Sequence, residues 1–214
     1  MPQPTHILLL RHGLTDANAS GTLQGHQPTP LNALGHRQAQ LLARRLATHT
    51  PPIELLISSD LPRAAQTAQP IARACGLALA LTPAWRERCL GSLEGKTAHE
   101  QEIWRMASAE ADPPGAESAS AFIDRIHGAL LAAAEDPPAR TPIAIVTHGG
   151  PCRAVLRMLI DGRLPLAPNH PTPDLVMIAN CSIMHLVHHA GTWQLASLND
   201  AAHLHGLYSD RDAG

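Results

Sequence analysis

Two aliphatic runs, far apart in the chain, end in the same way. Leu8-Leu9-Leu10 stops on Arg11-His12-Gly13, and Ile143-Ala144-Ile145-Val146 stops on Thr147-His148-Gly149-Gly150. Short continuous apolar runs of this kind read as strands buried on both faces, the pattern of a parallel sheet covered by helices. A buried strand ends where its apolar run ends, so Arg11, His12 and His148 are delivered to the C-terminal edge of the sheet. In open α/β sheets that edge is where ligand crevices form. The following glycine lets the backbone turn sharply and leaves the imidazole presented rather than packed. One such end is a weak signal; two of them point to a pair of imidazoles converging on a single site.

The remaining pattern places the chain in the α/β class. Residues 6–10, 53–57, 77–81 and 142–146 read as strands. Between them, Ala33–Ala47 sets Leu34, Leu41, Leu42 and Leu46 on one helical face, with Arg37, Arg44 and Arg45 elsewhere. Pro62 opens the next helix at a position that tolerates proline, with Arg63 in its first turn. Helices are expected over 97–109 and 118–134 and from Gly149 or Gly150, with Pro113-Pro114-Gly115 as a break and 82–96 irregular. Residues 175–179, 182–188 and 192–198 read as closing strands. Such alternation implies helices on both faces of a largely parallel sheet. With no internal repeat and no long linker, one domain spanning residues 1–214 is expected.

Composition removes several functional classes. Aromatic residues make up only 2% of the chain, so the core has to be aliphatic. A net charge of -2 offers no basic footprint for nucleic acid. No apolar run approaches the roughly 20 residues of a membrane span, and a strand signal from residue 6 leaves no space for a signal peptide. Cys75, Cys89, Cys152 and Cys181 form no Cys-x-x-Cys pair, which fits a reduced, cytoplasmic protein better than a disulfide scaffold. Fourteen histidines raise the question of a metal. There is no His-Glu-x-x-His, however, and His185, His188, His189, His203 and His205 fall on strand alternation and a terminal loop. Neither a metal nor a cofactor is expected.

Arg11, His12, Arg63 and His148 together would make a pocket for a compact anion with several oxygens. Guanidinium forks grip phosphate oxygens bidentately. At an effective dielectric near 20, each charge pair at about 4 Å is worth on the order of 4 kcal/mol, so several of them favour a phosphate dianion over a carboxylate. Asn18 and a backbone N–H at the helix start near Gly149 would add neutral donors. His12 is the candidate nucleophile, a neutral imidazole near pH 7 whose other nitrogen would need to donate to a backbone carbonyl. Glu87, in the charged loop after the third strand, is the candidate general acid.

Singly, each residue has an ordinary reading. Arg63 could be a solvated arginine, although a helix start is the wrong end for a cation. His148 could be a satisfied turn histidine. Glu87, between Arg86 and Arg88, reads more readily as a surface ion pair. Asn18 could be a turn residue or helix cap. Their joint occurrence carries the functional reading.

That joint order resembles the histidine phosphatase superfamily, the phosphoglycerate-mutase-like enzymes, nearly end to end. Leu10-Arg11-His12-Gly13-Leu14-Thr15 with Asn18 resembles the family's signature, and Leu23-Gln24-Gly25 with Pro30-Leu31-Asn32 its next loop. Ser58-Ser59-Asp60-Leu61-x-Arg63-Ala64, Arg86-Glu87 followed by Gly91-x-Leu93-Glu94-Gly95, and Thr147-His148-Gly149-Gly150 match later landmarks. Pro28 stands where the family's loop usually has aspartate. The resemblance implies a three-layer α/β/α sandwich and a metal-independent phosphohistidine mechanism acting on a small phosphorylated substrate. His12 would be phosphorylated, Arg11, Arg63 and His148 would clamp the phosphoryl group, and Glu87 would donate the proton. Asn18, Gln24, Gly25 and Gly149 would make further substrate contacts. Mutases of the family carry His-Tyr-Gly where this chain has Cys89-Leu90-Gly91, and a later arginine pair that is missing here. The resemblance therefore favours a phosphatase over a cofactor-dependent mutase, and both over a non-catalytic phospholigand-binding module.

Overall fold

A computed structural model describes residues 3–107, 112–135 and 142–207. In chain order the elements are β1 (Thr5–Arg11), α1 (Asp16–Ala19), α2 (Ala33–Ala47), β2 (Leu55–Ser59), α3 (Pro62–Cys75), β3 (Leu79–Thr82), α4 (Ala98–Ala107), α5 (Ala119–Glu135), β4 (Ile143–Thr147), α6 (Gly149–Ile160), β5 (Ile183–His189) and β6 (Thr192–Asp200). The strands form one six-stranded sheet ordered β3-β2-β4-β1-β5-β6. The strands β3, β2, β4 and β1 run parallel, whereas β5 is antiparallel to β1 and β6 to β5.

The sheet lies between two helical layers because β1 is apolar on both faces. Ile7 and Leu9 pack with Ile126 and Leu130 of α5 and Val155 and Leu159 of α6. Leu8 and Leu10 pack the other way, with Leu42 and Leu46 of α2 and Ala64, Ala68 and Ile71 of α3. None of these four β1 side chains is more than 1% exposed, and each such burial stabilises by about 1.5–3 kcal/mol. Helix α2 starts where Asn32 Oδ1 accepts the Gly35 N–H at 2.9 Å and ends with Arg44 and Arg45 against its negative pole. Helix α3 opens on Pro62 and stops at Gly76, whose φ of 67° is a left-handed cap.

Register brings the two histidines together. Ile7 lies opposite Ile143 and Arg11 opposite Thr147, so the next residues, His12 and His148, leave the sheet side by side. The His12 N–H donates to the Thr147 carbonyl at 2.9 Å, which carries the ladder one step past the strand.

The expected strand over 175–179 does not form. Its alternation is real, with Val176 and Ile178 against the core and Leu175 and Met177 at 52% and 78% exposure. Strand β1 is already paired on both edges, with β4 and β5, and the segment joins no ladder. Strand β2 begins two residues later than expected and runs on to Ser59, and β3 is an edge strand with Leu81 exposed. Residues 108 and 109 of the expected 97–109 helix lie outside the described residues. Among the described residues no helix is long and apolar enough to cross a membrane.

Candidate active site

His12 follows directly on β1, where its backbone has to turn. Gly13 makes that turn possible: a Cβ there would lie 2.6 Å from the Gly35 carbonyl oxygen at the start of α2. The Gly13 N–H is held by Thr67 Oγ1 of α3 at 3.0 Å. His12 Nδ1 donates to the Gly13 carbonyl at 2.7 Å, which leaves the lone pair on Nε2. Burial, and then the charges of Arg63 and Arg11, hold this imidazole well below the ordinary histidine range, so it is neutral at pH 7.

Arg63 is 1% exposed, so it is not a solvated arginine. Its Nη1 donates to the Gln27 carbonyl at 3.0 Å, Nη2 to the Gly25 carbonyl at 2.8 Å and Nε to His148 Nδ1 at 3.2 Å. Burial pushes its pKa down to about 10, which still leaves a cation at pH 7. Arg11 donates from Nη1 to the Ile178 carbonyl. Its Nε is buried with no hydrogen-bond partner among the described residues. A buried orphan donor costs about 1–3 kcal/mol, and an oxyanion would satisfy it.

His148 is fully buried, its ring 5.1 Å from that of His12. Because Nδ1 accepts from Arg63, the proton sits on Nε2 and is donated to Ser59 Oγ at 2.8 Å. Both ring nitrogens are thus engaged. To grip an oxyanion through Nδ1 the proton has to change nitrogens, with the Ser59 hydroxyl, which can donate or accept, turning to donate to Nε2. Burial, then the neighbouring Arg63, keeps the ring from charging.

Glu87 makes no ion pair with its arginine neighbours. Arg86 forks onto Asp60 at 2.7 and 2.6 Å, and Arg88 pairs with Asp112. The Glu87 carboxylate instead accepts the Gly150 N–H and the Arg88 N–H, each at 2.9 Å. A Cβ on Gly150 would lie 1.8 Å from Glu87 Oε1, so only glycine admits the carboxylate this close to α6.

The loop that carries Glu87 is irregular yet firmly held. Trp85 is 2% exposed in the core, and its carbonyl accepts from Thr147 Oγ1 at 2.7 Å. Arg125 of α5 forks onto Glu117 at 2.8 and 2.7 Å, and its other N–H groups reach the Ala84 and Arg86 carbonyls at 3.0 Å and that of Glu87 at 3.3 Å. Neither Arg125 nor Ser59 stands out in the sequence as a functional residue. An arginine on an amphipathic helix looks like part of its solvated face.

Asn18 is both a helix-cap residue and a wall residue. Its Oδ1 takes part in the Thr15 capping box and accepts from Asn180 at 3.3 Å, which leaves its NH₂ group as the available donor. Gln24 Oε1 accepts from Thr15 Oγ1 at 3.1 Å. Arg11, His12, Asn18 and Arg63 line a cavity of about 550 Å³ at the C-terminal ends of β1 and β4, and Gln24, Gly25, Glu87 and Gly149 complete that part of it. His148 stands behind this wall, against Arg63. Further out the cavity is lined by Phe122, Ile123, Ala154 and Leu175, with Arg153 and Arg157 on α6. Among the described residues no group of three or more His, Cys, Asp or Glu side chains could hold a metal ion.

Known proteins share the sequence and the fold. A probable phosphoglycerate mutase of Yersinia pestis is 35% identical over 211 residues, covering 92% of this chain and 94% of that protein. A mycobacterial glucosyl-3-phosphoglycerate phosphatase, solved with VO3, matches with a TM-score of 0.71 and 31% identity over 91% of this chain and 98% of that one. Phosphoglycerate mutase from Bacillus anthracis shares the fold at a TM-score of 0.80, with 20% identity and coverage of 95% and 96%. The model of the histidine phosphatase superfamily, branch 1, matches residues 7–201. That span takes in both histidine-bearing strand ends and the Glu87 loop, and the chain is accordingly a member of the histidine phosphatase superfamily.

Proposed function

We propose that the protein is a metal-independent phosphomonoesterase that hydrolyses a small phosphorylated metabolite through a phosphohistidine on His12. The observation that carries this reading is the neutral His12 imidazole, locked by Nδ1–H to the Gly13 carbonyl and flanked by Arg11 and Arg63. Nε2 attacks phosphorus, the bond from phosphorus to the alcohol oxygen breaks, and Glu87 gives that oxygen its proton. Water then attacks the phosphohistidine and loses a proton to the Glu87 carboxylate, which releases phosphate and restores neutral His12. Arg11 and Arg63 hold the equatorial oxygens throughout, and their fixed positions favour the charge distribution of the transition state.

A mutase is the second reading, favoured by the name of the Yersinia relative. The test is hydrolysis of p-nitrophenyl phosphate, with and without EDTA. EDTA should leave the rate unchanged, and His12→Ala should lower it by roughly 1,000-fold or more. The wild type, quenched during turnover, should carry an acid-labile phosphoryl group that the variant lacks. Phosphoglycerate interconversion that depends on a bisphosphoglycerate primer, without net phosphate release, would establish the mutase instead.

A further inference from the structure

Five arginines line the cavity, and four of them are accounted for. Arg63 donates to backbone carbonyls and His148, Arg11 to the Ile178 carbonyl, Arg88 pairs with Asp112, and Arg157 lies 4.0 Å from Asp161. Arg153 is exposed and, among the described residues, has neither a hydrogen bond nor an ion pair. Its placement is electrostatically unfavourable. It stands one turn into α6, near the positive end of that helix, and its charge acts against that of Arg11. A point one Cβ above Gly149 lies 3.2 Å from Arg153 Nη1 and 3.4 Å from Arg11 Nε, so the two guanidinium groups flank the same spot. Like charges kept this close concentrate a positive potential at the cavity wall, which favours ligands that carry more negative charge.

We infer that Arg153 forms a second anion subsite beside the phosphoryl site. The preferred substrate is then a phosphomonoester whose alcohol carries another anionic group, such as a carboxylate, a short carbon chain away. This rests on the proposed phosphomonoesterase reading and narrows its substrate class. Phe122, Ile123 and Ala154, which line the outer cavity, would cover the carbon skeleton between the two anions. An exposed guanidinium favours such a group through a screened interaction, so the preference shrinks as salt is added.

A matched pair of competitors tests it: 3-phosphoglycerate and glycerol 3-phosphate differ only in a carboxylate against a hydroxymethyl group. Each is titrated against p-nitrophenyl phosphate hydrolysis. In the wild type the ratio of inhibition constants should favour 3-phosphoglycerate by about tenfold or more, as expected for a charge pair that sets specificity. Arg153→Gln should bring that ratio to within about twofold of unity, with Arg153→Lys between the two. Equal inhibition in the wild type overturns the inference. So does a ratio untouched by Arg153→Gln, including the case where both constants rise together because Arg153 serves the phosphoryl group itself. A wild type that hydrolyses no p-nitrophenyl phosphate would defeat the phosphomonoesterase reading first, and so is distinguishable from either result.

Discussion

The inner and outer ends of the cavity are built differently. At the inner end, Arg11, His12 and His148 sit on or just past a strand, and Arg63 in the first turn of a buried helix. His12, Arg63 and His148 are at most 3% exposed and are held through backbone carbonyls and Ser59. At the outer end the walls come from α5, α6 and the irregular segment around Leu175, and the arginines are exposed. On the proposed reading the inner end binds a group common to every phosphomonoester and has to keep sub-ångström geometry for in-line transfer. The outer end meets the variable part of the substrate and can differ without harming the chemistry. Glu87 joins the two, since it touches α6 at Gly150 but rides on the loop that Arg125 organises.

This contrast can be broken by substitution. Arg63→Ala removes a preorganised donor from the rigid end and should lower kcat/KM for p-nitrophenyl phosphate by about 100-fold or more; an unchanged value would remove Arg63 from the site. Gly150→Ala forces the Glu87 carboxylate off α6 and should cost on the order of 10–100-fold, mostly in kcat, because an ångström of displacement is enough. Arg125→Met loosens the loop without touching the cavity. It should lower kcat by about tenfold while the inhibition constant for inorganic phosphate stays near wild type. Were the phosphate constant to move as much as kcat, Arg125 would be supporting the whole fold and not the proton donor.

The smallest effect concerns acid stability of the inner end. His12 and His148 both have lowered pKa values in the folded protein, mainly through burial. Below the unfolded value near 6.5 the unfolded chain takes up protons that the folded one refuses. Stability is therefore full above about pH 6.5 and falls towards acid, by up to about 1.4 kcal/mol per pH unit for each ring until its folded pKa is reached. Urea unfolding at pH 7.5 and 5.5 measures this, and His12→Asn should flatten the slope by roughly half of the share carried by the two rings. A slope unchanged by the substitution would mean that His12 titrates normally in the fold.

Legibility in the sequence followed the same division. Residues 8–13 and 142–150 are continuous patterns, so a strand, its end and the exposed histidine could be read from one window. The 175–179 segment misled because alternation reports which side chains are buried, and says nothing of whether a sheet edge is free to pair. Glu87 looked like one of three charges in a surface loop. Its separation from Arg86 and Arg88 depends on Asp60 and Asp112, which approach it only in the fold. Arg125 and Arg153 were invisible for a related reason: both lie on helices, where a lone arginine suits the solvated face.

Local sequence by itself determined the strand ends, the turn glycines and the pairing of histidine with arginine, because hydrophobic runs and steric allowance act over a few residues. Only the tertiary structure decided that Arg11 pairs in register with Thr147, that His148 accepts from Arg63 and donates to Ser59, and that Arg153 stands beside Arg11 with no counter-ion among the described residues. Those relations join residues more than 80 positions apart in the chain, and register, burial and charge over such separations exist only once the layers have packed.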